Sequence, residues 1–400
     1  MTMASRPTVV IFCDHLLYLS ETFIRAQAQA LRQFAPVYAG SRRVAGLELP
    51  AGSSYTINPG DTAGKIREVV FKLFGKAPDL VRRLHALDPV LVHAHFGPDG
   101  LRALPLSRRL GLPLIVTFHG SDATTLDPQP DEAPFGHRRY LANKKVLQSG
   151  ASLFVAVSDF IRGKLLEQEF PPEKVVVHYI GVDTKLFSPL RMAAEPVVLF
   201  VGRLSERKGP AYLIQAMASV QREHPEVELV LIGDGPLRKD LEQQAKNSLR
   251  KYRFLGAQRP EMVREWMGRA AVFSAPSIKA ASGGEEAFGM VFAESQAMQK
   301  PVVAFATGGV VEAVQQGQTG LLAPERDWRK LAEYLALLLK DVPLQRKFGV
   351  AGRERVLRLF NLEIQTSVLE RIYSKIAERC APAQLQKVAS MGEVKICQEF

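Results

Sequence analysis

The chain has 400 residues, 46% of them apolar, with a formal net charge of +11 and a pI near 9.5. A single hydrophobic core stops growing near roughly 250–300 residues, so two domains are expected. No run of about 18 apolar residues is present, which argues against a membrane-spanning helix. The positive charge suits an anionic partner, such as a nucleotide diphosphate or a lipid surface, as well as plain solubility. It comes without the aromatic-interleaved basic motif of an RNA-binding protein, so no nucleic acid is expected as a partner. Cys13, Cys380 and Cys397 are far apart and lack metal-ligand spacing, which fits a reducing cytoplasm. The opening "MTMASRPTVVIFC" does not show a charged region, an apolar core and a cleavage site in that order, so a signal peptide is not expected.

In chain order, the first strand pattern is "TVVIFC". The "DHLLYLSETFIR" that follows has none of the glycines of a dinucleotide-binding loop, which excludes the usual dehydrogenase. Ser20 reads as the N-cap of a helix starting at Glu21. In "KIREVVFKLF", residues 65–74, Ile66, Val69, Val70, Leu73 and Phe74 share one helical stripe, with Lys65, Arg67 and Lys72 off it and Lys76, Arg82 and Arg83 following. The plain reading is a helix facing the core with a solvated basic side. The alternative is a basic surface that docks on anionic lipid.

The strand "PVLVHAHF" puts His93 and His95 on one face, two residues apart, ahead of a loop carrying Gly97 and Gly100. The strand in "PLIVTFHGSD" ends on His119, followed by Gly120 and Asp122. Nothing around these residues argues for a metal. The patterns "SLFVAVS" and "KVVVHYIGV" follow, and residues 185–196, with two prolines, read as a linker.

A second series follows: "VVLFVGR", "VELVLIGDG", "YRFLG", "AVFSAPS" and "PVVAFATGG". Strands alternating with helical segments such as 21–34 and 210–223 mean two parallel sheets flanked by helices. Ligands bind beyond the carboxyl ends of such strands. There Gly202, Arg203 and Lys208 precede a helix and suit a diphosphate. Gly233 and Gly235 suit a tight turn and a close backbone approach. In "SGGEEAFGMVFAESQAM", Glu286 stands before a helix starting near Phe288–Met290, and Glu294 stands inside it. Met290, Val291, Ala297 and Met298 neighbour Glu294, so its carboxylate needs a partner, either a ligand or a buried ion pair.

Six pieces in order, "FVGRLSERKG", "LIGDGPL", "FLG", "FSAPS", "EAFGMVFAESQAMQKPVVAFATGGVVEAV" and "GQTGLL", resemble the family-4 retaining glycosyltransferases of the GT-B fold. The first half matches more loosely through "HAHFG", "TFHGSD", "VAVSDFIRGKL" and "IGVDTKLF", and "SETFI" is similar to a bacterial exopolysaccharide, colanic-acid-type subgroup. The resemblance implies an α/β fold of two Rossmann-like domains with parallel sheets facing a cleft. The bounds expected are 1–187 for an acceptor domain and 188–360 for a nucleotide-sugar domain. A helix over 361–380 would return to the first domain, and 381–400 would be a tail.

The same resemblance implies that Arg203 and Lys208 hold the donor diphosphate and that Glu294 holds the ribose hydroxyls. Glu286 would bind the donor sugar, and backbone N–H groups of Phe288, Gly289 and Met290 would face sugar and phosphate. His119 would contact the sugar and support the transition state. Ser20, Glu21, His95 and Asp122 are the acceptor-side candidates. Two positions depart from the family pattern: Ser20–Glu21 stand where many relatives have paired glycines, and Ile180 where many have asparagine.

The function expected is retaining hexose transfer from a nucleotide sugar, UDP favoured over GDP, to a saccharide or lipid-linked saccharide. No metal and no other cofactor is expected, and no Asp-x-Asp motif is present to carry one. The place expected is the cytoplasm, or its membrane's inner face if the basic helix docks there. A nucleotide-sugar epimerase and a non-catalytic nucleotide-sugar sensor are the competing readings.

Overall fold

A computed structural model describes residues 6–125, 135–190 and 194–380. The tail expected at 381–400 lies outside them, as do residues 191–193 of the expected linker. Two sheets carry the fold. The first orders its strands His15–Leu16, Ala35–Arg43, Thr8–Phe12, Pro89–His95, Leu114–Phe118, Leu153–Ala156 and Val175–Val177, with Ser54–Asn58 added beside Ala35–Arg43. The second orders them Tyr252–Gly256, Glu228–Ile232, Glu195–Val201, Ala270–Ser274, Val302–Phe305 and Gly320–Ala323. Thr8–Phe12 runs parallel to both its neighbours, and Glu195–Val201 likewise. Short apolar strands buried on both faces belong to sheets covered by helices on each side. Val9 to Phe12 in the first sheet and Val197 to Phe200 in the second are buried accordingly.

The described residues form two compact units. One takes residues up to Thr117, Ala142–Phe154 and the chain from Thr366 onward; the other takes Phe118–Leu141 and Val155–Gln365. In the first, the final helix Leu362–Cys380 contributes two buried anchors. Tyr373 Oη lies 2.6 Å from His93 Nδ1, whose Nε2 lies 2.6 Å from Thr117 Oγ1. Glu370 accepts from the backbone N–H groups of Arg32 (2.7 Å) and Gln33 (2.6 Å), just past helix Thr22–Gln29. In the second, Phe200, Phe273, Phe292 and Phe305 are fully buried in one core.

Two local expectations are corrected. Ser20 does not cap the first helix. Glu21 occupies the cap position without a side-chain cap bond, and its carboxylate turns back to accept from the Tyr18 N–H at 2.9 Å. The stripe of residues 65–74 does not face the core either. Helix Thr62–Phe74 buries Gly64, Glu68 and Phe71 and leaves Ile66, Val69, Leu73 and Phe74 exposed. Glu68 decides the orientation, because it accepts from Asn58 Nδ2 at 2.7 Å and pairs with Arg42 at 3.7 Å, both off the helix, while Lys72 one turn on supports it at 2.6 Å.

Replacing Glu370 tests the docking of the final helix. Glu370→Leu takes the acceptor from two part-buried N–H groups and should cost about 1–3 kcal/mol in all, since an unpaired donor costs about 1–3 kcal/mol when fully buried and less where water reaches it. Glu370→Gln keeps an acceptor oxygen and should cost less. Urea unfolding followed by circular dichroism would show the two variants apart.

Candidate active site

The candidate site in the second unit is assembled from strand-end loops that backbone contacts lock together. After Glu195–Val201, Gly202 donates to Ile232 O at 2.9 Å and Leu204 donates to Asp234 O at 2.9 Å. Gly233 has φ +133°, and a Cβ there would lie 1.9 Å from Gly202 O. A side chain at Gly235 would lie 2.4 Å from Leu204 O. Both glycines are therefore required by the approach of two chains. Ile278 donates to Arg207 O at 2.8 Å, which joins the basic turn to the loop after Ala270–Ser274.

Lys208 closes that junction. Its ammonium donates to the buried Glu286 carboxylate, which also accepts from Ser277 Oγ at 3.1 Å. Burial pushes the Glu286 carboxyl up, but Lys208 and Arg207, with the hydrogen bonds from Lys208 and Ser277, outweigh it and hold the group below its ordinary value. Glu286 is a charged carboxylate in a dry place. Arg203, on the same turn, is exposed. Glu285 is separate: its carboxylate lies 3.6 Å from Lys279.

The chain after Glu286 enters helix Met290–Ala297 through Gly289, whose φ is +80°. The N–H groups of Phe288, Gly289 and Met290 meet no acceptor among the described residues, as expected at a helix N-terminus. The Phe288 side chain is buried between Tyr179 and Phe360, at 5.6 and 4.9 Å between ring centroids. From the other side, Gly309 donates to Glu286 O at 2.8 Å, and Thr307 Oγ1 donates to Ser277 O at 2.9 Å.

Glu294, on the same helix, is the opposite of Glu286. No hydrogen bond or ion pair reaches its carboxylate among the described residues, so the expected buried ion pair is not what satisfies it. Burial alone raises its pKa to about 7.

His119 lies in this unit too. Its N–H and that of Gly120 donate to Asp122, at 3.1 and 2.8 Å, so the Asp122 carboxylate shapes the His119 turn. That turn abuts the Glu286 loop: a Cβ at Gly120 would lie 3.1 Å from Ala287 Cβ, and Glu285 donates to Thr124 Oγ1 at 3.3 Å. Ser158 Oγ donates to Ala287 O at 2.6 Å. The structure thus gathers Gly202, Lys208, Gly233, Gly235, Glu286, Gly289 and the His119 turn into one set of packed loops.

Ser20, Glu21 and His95 belong to the other unit. Ser20 is exposed, Glu21 half-buried and His95 buried against the His93 ring at 4.4 Å. Near the carboxyl ends of that sheet's strands is a polar cluster the sequence reading missed. Asp14 donates its N–H to Asp99 at 2.8 Å, Arg102 pairs with Asp99 at 3.0 Å, and Ser41 donates to the Asp14 carboxylate. Burial and the nearby Asp14 raise the Asp99 carboxyl to about 7. Arg207 and Ser277 were also missed. Their positions just beyond strand ends, like those of Asp14 and Asp99, were the available signal.

Two family models account for most of the chain. "Glycosyltransferase Family 4" matches residues 20–186 and "Glycosyl transferases group 1" matches residues 183–355. The chain is a family 4 glycosyltransferase. It is 29% identical to the D-inositol 3-phosphate glycosyltransferase of Corynebacterium aurimucosum over 73% of each chain. It is also 29% identical to the putative colanic acid biosynthesis glycosyltransferase WcaL of Escherichia coli, over 68% of this chain and 67% of that one. Anabaena HepE, solved with UDP and glucose, superposes with a TM-score of 0.73 at 20% identity, covering 92% of this glycosyltransferase and all of HepE. Sucrose-phosphate synthase of Thermosynechococcus elongatus superposes at 0.74 and 23% identity, over 92% and 99%. These likenesses place the glycosyltransferase in the GT-B fold. No helix among the described residues is long and apolar enough to cross a membrane.

The unpaired Glu294 gives the glycosyltransferase a signed pH dependence. Its pKa is raised in the folded state, so the associated stability is complete below about 4.5 and is lost as pH rises through about 7. Glu294→Gln removes that loss. The variant should match the parent at pH 5 and exceed it at pH 8 by up to about 3 kcal/mol, less what water recovers at a half-buried group. Thermal unfolding at the two pH values checks the sign.

Proposed function

We propose that the enzyme transfers a hexose from a nucleotide diphosphate sugar, UDP before GDP, to a hydroxyl of a saccharide or lipid-linked saccharide, with retention of anomeric configuration and without a metal. The observation that carries this reading is the contrast of the two acids. Glu286, just before helix Met290–Ala297, is buried, charged and already paired, while Glu294, half-buried within that helix, meets no partner among the described residues. A ribose diol would supply the hydrogen bonds that Glu294 lacks. HepE binding UDP and glucose on the same fold supports a nucleotide-sugar donor, and the similarity to WcaL supports a place in polysaccharide assembly.

In the proposed reaction the bond from the anomeric carbon to the diphosphate breaks, and negative charge builds on the leaving phosphate. Arg203, Lys208 and the N-terminus of helix Met290–Ala297 stabilise that charge. The acceptor hydroxyl attacks from the face the diphosphate leaves and passes its proton to a phosphate oxygen. Glu286, held by Lys208 and Ser277, receives hydroxyls of the donor sugar, and His119 contacts the sugar from its turn. Asp122 acts through His119, since its carboxylate is already occupied by backbone N–H groups. Ser20, Glu21 and His95 are retained as acceptor-side residues of the first unit.

Two measurements test this. Arg203 is exposed, so Arg203→Ala should leave thermal stability within about 0.5 kcal/mol while lowering turnover by roughly 100–1,000-fold. Turnover close to the parent's would remove Arg203 from the mechanism. In a thermal-shift panel of UDP- and GDP-sugars, at least one UDP-sugar should stabilise the enzyme. With Glu294 near 7 and binding favouring its ionised form, that affinity should be about tenfold tighter at pH 8 than at pH 6. In Glu294→Gln the pH dependence should vanish.

A further inference from the structure

Helix Thr62–Phe74 presents a feature the transfer reaction does not use. Its apolar arc faces solvent: Ile66 is 62% exposed, Val69 55%, Leu73 49% and Phe74 67%. At about 100° per residue, Lys65 and Arg67 flank this arc on its two edges, and both are exposed. The opposite face is committed to the unit through Gly64, Glu68 and Phe71. The helix cannot roll to hide the arc without breaking Glu68 away from Asn58, at 2.7 Å, and Arg42, at 3.7 Å.

The next helix, Pro78–His85, extends the surface. Exposed Arg82 and Arg83 stand on it, exposed Lys76 precedes it, and a groove of about 640 Å³ between the two helices is lined by Ile57, Ile66, Val70, Leu80 and these cations. From 61 to 83 there are six basic side chains against three acidic ones; Glu68 is buried, and Asp61 and Asp79 pair with Arg67 at 3.6 Å and Arg82 at 3.0 Å, which leaves a net excess of cations on the face.

An apolar arc edged by cations asks for an apolar surface covered with anions. A second copy of this chain would bring one basic rim against another, on a protein already at +11. We infer that this face docks on an anionic phospholipid bilayer, with the apolar arc at the headgroup–acyl boundary and the flanking cations among the headgroups. The surface adjoins ligand-binding territory. Lys72, on the same helix, reaches Asp14 at 3.4 Å, and Asp14 lies just beyond strand Thr8–Phe12. Docking therefore holds that rim of the sheet at the lipid surface, where a lipid-linked acceptor would sit. This purpose rests on the acceptor reading above, while the lipid affinity itself does not.

Sedimentation of the full chain with vesicles of phosphatidylcholine, with or without about a third phosphatidylglycerol, tests the inference. The chain should pellet with the anionic vesicles and not with the neutral ones. Lys65→Gln with Arg67→Gln should lower the partition coefficient roughly 25-fold, and Ile66→Ser with Phe74→Ser at least tenfold. Circular dichroism should show both variants folded, and their thermal shift with UDP-sugars in vesicle-free buffer should match the parent's. No pelleting with anionic vesicles, or pelleting unchanged in both variants, would overturn the inference. A lipid-free dimer that Ile66→Ser with Phe74→Ser dissolves would also overturn it, by assigning the face to a second copy. The donor panel, run without lipid, reports separately on the proposed transfer.

Discussion

The ion pair between Lys208 and Glu286 is the constraint on which the rest of the candidate site depends. Glu286 sits in a place dry enough to favour its neutral form, and it is charged only because Lys208 and Arg207 stand beside it. The two cations come from the turn after one strand and the acid from the loop after another, so the charge itself joins the loops. Losing one partner of such a pair leaves the other as an uncompensated buried charge, which costs far more than the pair gains. The backbone seals the same junction. The loops around Gly209, Gly233 and Gly309 approach carbonyls so closely that a Cβ at each would lie at 1.9 Å. A site built this way holds its geometry before any ligand arrives, and that is the condition for electrostatic stabilisation of a leaving group.

Against that rigid pair, Glu294 is a deliberate imbalance. The same eight-residue helix that starts beside a satisfied carboxylate carries an unsatisfied one. A fold selected for stability alone would replace it with glutamine or an aliphatic residue. Its carboxylate is half-buried with no partner among the described residues, which is the observation behind the proposed ribose contact.

How much of this the sequence displays depends on whether the signal is periodic or relational. The central strands are legible because a run such as "VVLFV" buried on both faces needs no partner to be recognised. His15–Leu16, Ser54–Asn58 and Gly320–Ala323 are not legible: they are short, lie toward sheet edges and owe their conformation to a neighbour. Ala35–Arg43 carries Pro36 and ends on Ser41, Arg42 and Arg43, a composition that reads as loop. In the site, strand-end position and motif spacing bring out Lys208, Glu286 and Glu294. They do not bring out Ser277, Arg207 or the Asp14–Asp99–Arg102 cluster, whose importance lies in which distant atoms they meet.

Helix Thr62–Phe74 shows the deeper limit. Periodicity finds the apolar stripe correctly but carries no information on which side of it the protein lies. The usual inference, that the apolar side faces inward, rests on hydrophobic burial being the largest available term. Here a competing term is available: a glutamate that meets Asn58 and Arg42 only when its own face is turned inward, with Phe71 buried on the same face. Once Glu68 is buried and paired, rolling the helix would strip Asn58 of its acceptor and Glu68 of Arg42. The apolar stripe is left outside because a polar network has already claimed the inside, so its exposure is a built property of the unit and not a packing failure.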